Sequence, residues 1–197
     1  YAYDDAGRVA RREFSDGTSV SYAYDGRGRL ASLVARDADG HDALSEGYAY
    51  DRLGRRVART VTRDGATSEF AYSYDGAGRL LSVSEDGRER DAWEYDALGN
   101  VLRASTPRGT TAYTYDAAGR MAGSEGPEGS RRYEWDARSR LSRVTDGEGA
   151  PVLELSWDAA DRLVSSTGER GATTYGYDAL GNRVSQEGPD GSLRWAV

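Results

Sequence analysis

Nine aspartates, each placed directly after an aromatic ring, are the side chains of this sequence most open to a chemical role. They fall at Tyr3-Asp4, Tyr24-Asp25, Tyr50-Asp51, Tyr74-Asp75, Tyr95-Asp96, Tyr115-Asp116, Trp135-Asp136, Trp157-Asp158 and Tyr177-Asp178. Carboxylates do general acid-base work when paired groups sit in environments that push their pKa values apart. Here, however, each aspartate is followed three residues later by Gly7, Gly28, Gly54, Gly78, Gly99, Gly119 or Gly181, with Ser139 and Asp161 in the two remaining copies. Aspartate at the head of a type I turn accepts backbone N–H groups two residues on, and glycine takes the positive φ that follows at no steric cost. The carboxylates are therefore assigned to turns. Ser tolerates the left-handed region less well than Gly, so the turn after Trp135 is expected to be the most strained.

The other reactive groups are few. The one histidine, His41, lies in the longest connection, Arg36-Asp37-Ala38-Asp39-Gly40-His41-Asp42. Asp37, Asp39 and Asp42 resemble a calcium loop only loosely, because an EF-hand needs a third ligand before its glycine and a closing glutamate. A solvated hairpin tip accounts for the stretch. One histidine in a loop supports no Ser-His-Asp triad, and no glycine-rich phosphate loop precedes a helix. Without cysteine, disulfides and thiolate metal sites are excluded. The sequence thus assigns no catalytic residue, no cofactor and no metal, and marks the chain as non-enzymatic.

The elements that carry these turns are strands. Two residues before each motif aromatic stands a second bulky residue, Tyr1, Tyr22, Tyr48, Tyr72, Trp93, Tyr113, Tyr133, Leu155 or Tyr175. Period-2 geometry puts both members of each pair on one face and leaves small or polar residues such as Ala23 and Ser73 on the other. Aromatic pairing between adjacent strands is expected to stabilise that face. After the turn a second alternating run follows, as in Leu30-Ala31-Ser32-Leu33. The chain then reverses at Asp16-Gly17, Asp64-Gly65, Asp86-Gly87, Arg108-Gly109, Glu128-Gly129, Asp146-Gly147, Arg170-Gly171 or Asp190-Gly191, where X-Gly pairs between alternating runs signal hairpins. The motif recurs at steps of 20 to 26 residues, the signature of a repeat architecture. The expected fold is all-β: nine antiparallel hairpin repeats in one array over 1-197. About eighteen strands cannot stay flat, since open twisted sheets seldom exceed roughly ten, so the sheet should spiral.

Composition agrees. There are fourteen Tyr and four Trp against two Phe and one Met, an inventory that covers one sheet face but cannot fill a thick aliphatic core. The net charge is -7 and every basic residue is Arg, recurring at Arg8, Arg29, Arg55, Arg79, Arg120, Arg140 and Arg162, with Asn100 and Asn182 in the other two copies. A periodic cation in an acidic chain is no basic patch, so nucleic acid is not an expected partner. No apolar run approaches a membrane span, and no signal peptide opens the chain. Arg56 and Arg183 stand where Leu30 and Leu80 stand in other copies; either a bulge re-aims them or the face is only half buried. Pro107, Pro127, Pro151 and Pro189 are placed at or near hairpin ends. Tyr1, and Trp195 with Val197, fall in phase with the repeat, so a piece of a longer array is expected.

Tyr-Asp-x-x-Gly-Arg-Leu at this spacing resembles the YD repeats of the Rhs family, which also occur in the shell components of insecticidal Tc toxins and in teneurins. The likeness runs from Tyr1 to Trp195. It implies a spiralling sheet around a hollow shell that in bacteria holds a C-terminal toxin and in teneurins serves adhesion, with the motif residues forming wall. It also implies a secreted or cell-surface location. Pro189-Asp190-Gly191-Ser192-Leu193 departs from the self-cleaving segment that commonly ends such shells, and nine repeats are too few to close one. Partners implied are further YD repeats, of the same chain or of identical copies, and an enclosed toxin. The alternative is an adhesive or filament-forming module joined through open sheet edges. Its aromatic strips could stack on carbohydrate, although the aromatics fit sheet stabilisation better.

Overall fold

Each hairpin begins with local chemistry: alternating strands rich in Tyr, Thr, Val and Ser are interrupted by residues that turn the chain. The computed structural model describes residues 1–194; the expected positions of Trp195 and Val197 lie outside them. Nineteen strands and no helix occupy the described residues: β1 (Ala2–Tyr3), β2 (Val9–Glu13), β3 (Ser19–Tyr24), β4 (Leu30–Arg36), β5 (Asp42–Tyr50), β6 (Arg56–Arg63), β7 (Ala66–Tyr74), β8 (Leu80–Glu85), β9 (Arg88–Tyr95), β10 (Val101–Thr106), β11 (Gly109–Tyr115), β12 (Met121–Gly126), β13 (Gly129–Trp135), β14 (Leu141–Asp146), β15 (Pro151–Trp157), β16 (Leu163–Gly168), β17 (Gly171–Tyr177), β18 (Arg183–Gly188) and β19 (Gly191–Arg194). The fold is all-β, as the alternation predicts.

Two compact units emerge. The first holds Tyr1–Tyr95 with Ala104–Pro107, and the second holds Asp96–Arg103 with the chain from Arg108 onward. In the first, β1 to β9 form a meander in which each strand pairs antiparallel with the next. In the second, β11 to β19 do the same. At the motif hairpins of β1–β2, β3–β4, β5–β6, β7–β8, β11–β12, β13–β14, β15–β16 and β17–β18 the register slips by one at the second aromatic, as where Tyr22 faces Leu33 but Tyr24 faces Leu30. That slip is a bulge, and it lets the glycine-bearing turn close.

The meanders have faces rather than a filled core. Val144 is the only buried hydrophobic side chain among the described residues. Motif and upstream aromatics share one face, half-buried for the most part, while Ala23, Ala49, Ser73 and Thr114 stand exposed on the other. The expected aromatic-to-aromatic pairing is not what fills that face. Tyr22 lies opposite Leu33, Tyr48 opposite Arg59, Tyr72 opposite Val83 and Tyr133 opposite Val144. Arg56 and Arg183 stay exposed and stack on that face, their guanidiniums 4.6 Å and 5.4 Å from the ring centres of Tyr48 and Tyr175.

The hairpins that lack the aromatic motif are less uniform than X-Gly pairs suggest. Asp64-Gly65 and Asp86-Gly87 both have positive φ at both positions, as a type I′ turn requires. By contrast, Gly129, Gly171 and Gly191 already belong to the returning strand, facing Gly126, Gly168 and Gly188 across loops made of Pro127-Glu128, Glu169-Arg170 and Pro189-Asp190. Gly109 likewise opens β11. A Cβ added to Gly109 would come within 2.6 Å of Pro127 Cγ, and one added to Gly171 within 2.9 Å of Pro189 Cγ. Glycine is fixed there by the proline of the following hairpin. At Asp146 the left-handed residue is Gly149 and not Gly147, because Gly149 N–H closes onto the Asp146 carbonyl.

Candidate functional site

The motif aspartates gather at one end of the strands in each unit, at Asp4, Asp25, Asp51 and Asp75 in the first and at Asp96, Asp116, Asp136, Asp158 and Asp178 in the second. Each builds the same turn. In the first copy, Gly7 N–H donates to the Asp4 carbonyl and Asp4 N–H to the Arg8 carbonyl, both at 2.9 Å. The Asp4 carboxylate completes it: Oδ1 accepts the N–H groups of Ala6 and Arg8 at 3.0 and 2.9 Å, and Oδ2 accepts Arg8 Nε at 2.7 Å. All acceptor capacity of the carboxylate is turned inward on its own loop.

The titration behaviour follows from those bonds. The Arg29 backbone N–H, then the Arg29 guanidinium, hold Asp25 down at about 2. Asp116 and Asp136 are lowered first by the side chains of Arg120 and Arg140 and then by their N–H groups. Asn100 and Asn182 do the same for Asp96 and Asp178 through Nδ2, at 2.8 and 2.9 Å from Oδ2. A general acid needs a raised carboxyl pKa; these are pushed the other way.

What the sequence did not disclose is that the arginine serves two repeats. Arg29 donates Nη1 to the carbonyl of Asp51, Arg55 to that of Asp75, Arg140 to that of Asp158 and Arg162 to that of Asp178, at 2.9 to 3.4 Å. Its guanidinium also lies over the next motif aromatic: Arg8 over Tyr24 at 4.3 Å, Arg29 over Tyr50 at 4.4 Å, Arg55 over Tyr74 at 4.8 Å, Arg79 over Tyr95 at 4.7 Å and Arg162 over Tyr177 at 4.9 Å. Trp135 and Trp157 receive Arg120 and Arg140 at 5.7 and 5.9 Å.

The aromatic answers in the opposite direction. Tyr24 donates its hydroxyl to the Val9 carbonyl, Tyr50 to Leu30, Tyr74 to Arg56, Tyr95 to Leu80, Tyr115 to Val101 and Tyr177 to Leu163. Trp135 and Trp157 reproduce the bond with Nε1, at 2.8 Å from the carbonyls of Met121 and Leu141. This explains why the motif aromatic is Tyr or Trp and never Phe, although Phe14 and Phe70 occur elsewhere. Phe has no donor. That restriction was the signal available in the sequence.

Two other groups merit chemical comparison. Asp37 heads another turn of the same form, with Oδ1 accepting the N–H groups of Asp39 and His41. Asp37, Asp39 and His41 could bring ligand atoms within 4.8 Å of one another, but all three are exposed, while Asp42 is paired with Arg36 at 2.8 Å. On the aromatic face, Glu46 accepts Arg59 Nη2 at 2.6 Å and the Tyr48 hydroxyl. Arg59 lowers the Glu46 pKa, and burial, followed by Glu46, raises that of Tyr48. The cluster neutralises itself and aims no group at a substrate.

A repeated turn locked to its successor on both sides is a unit of assembly. The sequence model described as RHS Repeat matches residues 3–42, 74–111, 95–131, 115–151 and 157–193, well over half of the chain. The chain belongs to the RHS repeat family. Among proteins with RHS-like similarity, it is 40% identical over 76 residues to Toxin protein Tse5 of Pseudomonas aeruginosa, a match spanning 39% of this chain and 6% of that protein. It is 29% identical over 115 residues to Double-stranded DNA deaminase toxin A of Burkholderia cenocepacia, covering 54% and 8% of the two chains. The structure of TcdB2-TccC3 without its hypervariable C-terminal region superposes with a TM-score of 0.67 at 16% identity, over 95% of this chain and 12% of that one. This chain and the matched part of TcdB2-TccC3 thus share the fold. The matched stretches are a small fraction of the length of these relatives.

Proposed function

We propose that the chain is a non-catalytic wall segment of a secreted RHS-repeat shell that encloses a toxin or other cargo, and that residues 1-197 are one array continuing into further repeats. The observation that carries this reading is the reciprocal lock between successive turns, which holds a single-layer meander together without a filled core. A wall needs that property and an enzyme active site does not. The motif residues from Tyr3 and Asp4 to Asp178 and Gly181 are, on this proposal, structural throughout. The toxin names of the relatives support the presence of cargo, and their activities stay with those proteins.

A second proposal, an adhesive or filament-forming module that binds carbohydrate or copies of itself, is favoured by one feature. Upstream aromatics such as Tyr22, Tyr72 and Tyr113 share one half-buried face with the motif rings. Against a carbohydrate strip, five of the motif tyrosines already carry an arginine on one face. Electron microscopy of the purified chain across a concentration series tests both. Discrete curved strips or hollow particles are expected for a wall segment; long fibres with a regular axial repeat would overturn it in favour of self-assembly.

A further inference from the structure

Two motif turns place a side chain where the others have glycine, Ser139 and Asp161, each with φ of 62°. Left-handed backbone is free to glycine and costly to most other residues. Yet each of these side chains meets the arginine of the turn before it. Arg120 Nη1 donates to Ser139 Oγ at 3.0 Å. Arg140 Nη1 donates to Asp161 Oδ1 at 2.7 Å, and Arg138 Nη1 reaches the same oxygen at 3.2 Å and the Ala159 carbonyl at 2.9 Å.

Three glycine turns show the same position facing the preceding guanidinium. A Cβ built on Gly28 would lie 3.1 Å from Arg8 Nη1, one on Gly54 3.8 Å from Arg29 Nη1, and one on Gly78 3.9 Å from Arg55 Nη1. A Cβ would meet nothing within 4 Å at Gly119, whose preceding turn carries Asn100, nor at Gly181, whose preceding Arg162 bonds the Asp178 carbonyl instead. Every contact of this kind comes from an arginine in the previous copy, though Arg162 makes none with Gly181.

We infer that the glycine position of the motif is a socket for the guanidinium of the preceding repeat, and that Asp161 fills it to clamp the Asp136 and Asp158 turns together. Arg140 then bridges two carboxylates, bonded to Asp136 Oδ2 at 2.6 Å behind and to Asp161 ahead, with the Asp158 carbonyl between them. Arg140 is 20% exposed and Asp161 59%, so the bridge is shielded from water and salt on the arginine side only. The clamp ties the β13–β14 hairpin to the β15–β16 hairpin through Arg140.

Asp161→Gly separates a clamp from a merely tolerated strain by the sign of its effect. Relief of strain alone would slow amide exchange in the β15–β16 hairpin or leave it unchanged. The clamp predicts faster exchange, by about threefold or more at low salt, with the difference shrinking at high salt as for other partly exposed ion pairs. Glycine occupies this position in seven of the nine turns, so the variant retains a foldable turn. The converse experiment installs the carboxylate. Gly78→Asp, which has Arg55 before it, should lower the unfolding midpoint less than Gly119→Asp, which has Asn100. Exchange that is unchanged or slower in Asp161→Gly, or equal losses in the two glycine variants, would overturn the socket.

Discussion

The two ends of the strands solve the same problem by different means. At the motif end, every reversal uses an aspartate-headed turn, and in the seven that carry an arginine that side chain reaches the next copy. At the other end the reversals vary: type I′ turns at Asp64-Gly65 and Asp86-Gly87, aspartate-headed turns at Asp37 and Asp146, a Phe14-headed turn, and short loops with Pro127 or Pro189 resting on the glycine of the preceding hairpin. The difference teaches that strand reversal alone does not demand a fixed sequence. Uniformity is needed where each turn must fit both its own loop and its successor.

Glycine substitutions test that contrast most severely. Gly28→Val is expected to lose about 2–3 kcal/mol in urea unfolding, from a β-branched residue at positive φ pressed against Arg8. Gly40→Val, at φ 87° but with open space around its added Cβ, should lose about 1–2 kcal/mol, backbone strain alone. Equal losses would dissolve the distinction between the two ends.

The aromatic donors come next. Tyr50→Phe keeps the ring and removes the hydroxyl bond to Leu30, for an expected loss of about 0.5–1.5 kcal/mol in the same assay. Tyr22→Phe, two residues before a motif aromatic, should change stability by less than about 0.5 kcal/mol.

Acid should loosen the motif end in a defined window. Asp25 has a folded pKa of about 2, depressed below its usual 3.8, so its contribution is fully present above pH 3.8 and is lost as pH falls through 2. Thermal midpoints recorded from pH 7 to pH 2 should hold steady in the upper range and then fall, and Asp25→Asn should flatten that fall. At the other end, Glu128, whose ion pair with Arg108 spans 3.8 Å at the surface, should prove nearly silent: Glu128→Ala is expected to shift the midpoint by less than about 2 °C.

The strands and motif turns were legible because their chemistry is local. Asp25 and Gly28 announce a turn within four residues, and the alternation around Tyr22 and Tyr24 announces a strand. The partners of Arg29 were not legible: its own aspartate is four residues away, but the carbonyl and ring it also serves belong to the next repeat, at Asp51 and Tyr50. Period gives the spacing of such residues but not which long side chain bridges it. Gly149 was missed for a nearer reason, since Asp146-Gly147-Glu148-Gly149 offers two glycines and only the spacing of the motif itself chooses between them. At Leu33, Arg59 and Val83, the partners opposite the aromatics depended on strand register, which the one-residue slip at their motif hairpins resets.

Because each turn asks of its neighbour only an arginine on one side and a donor-bearing ring on the other, the joint between any two copies is nearly interchangeable. Whole units of some twenty residues can then be gained or lost by duplication and unequal exchange without refitting the remainder. The length of such an array becomes a quantity that inheritance can adjust in whole steps.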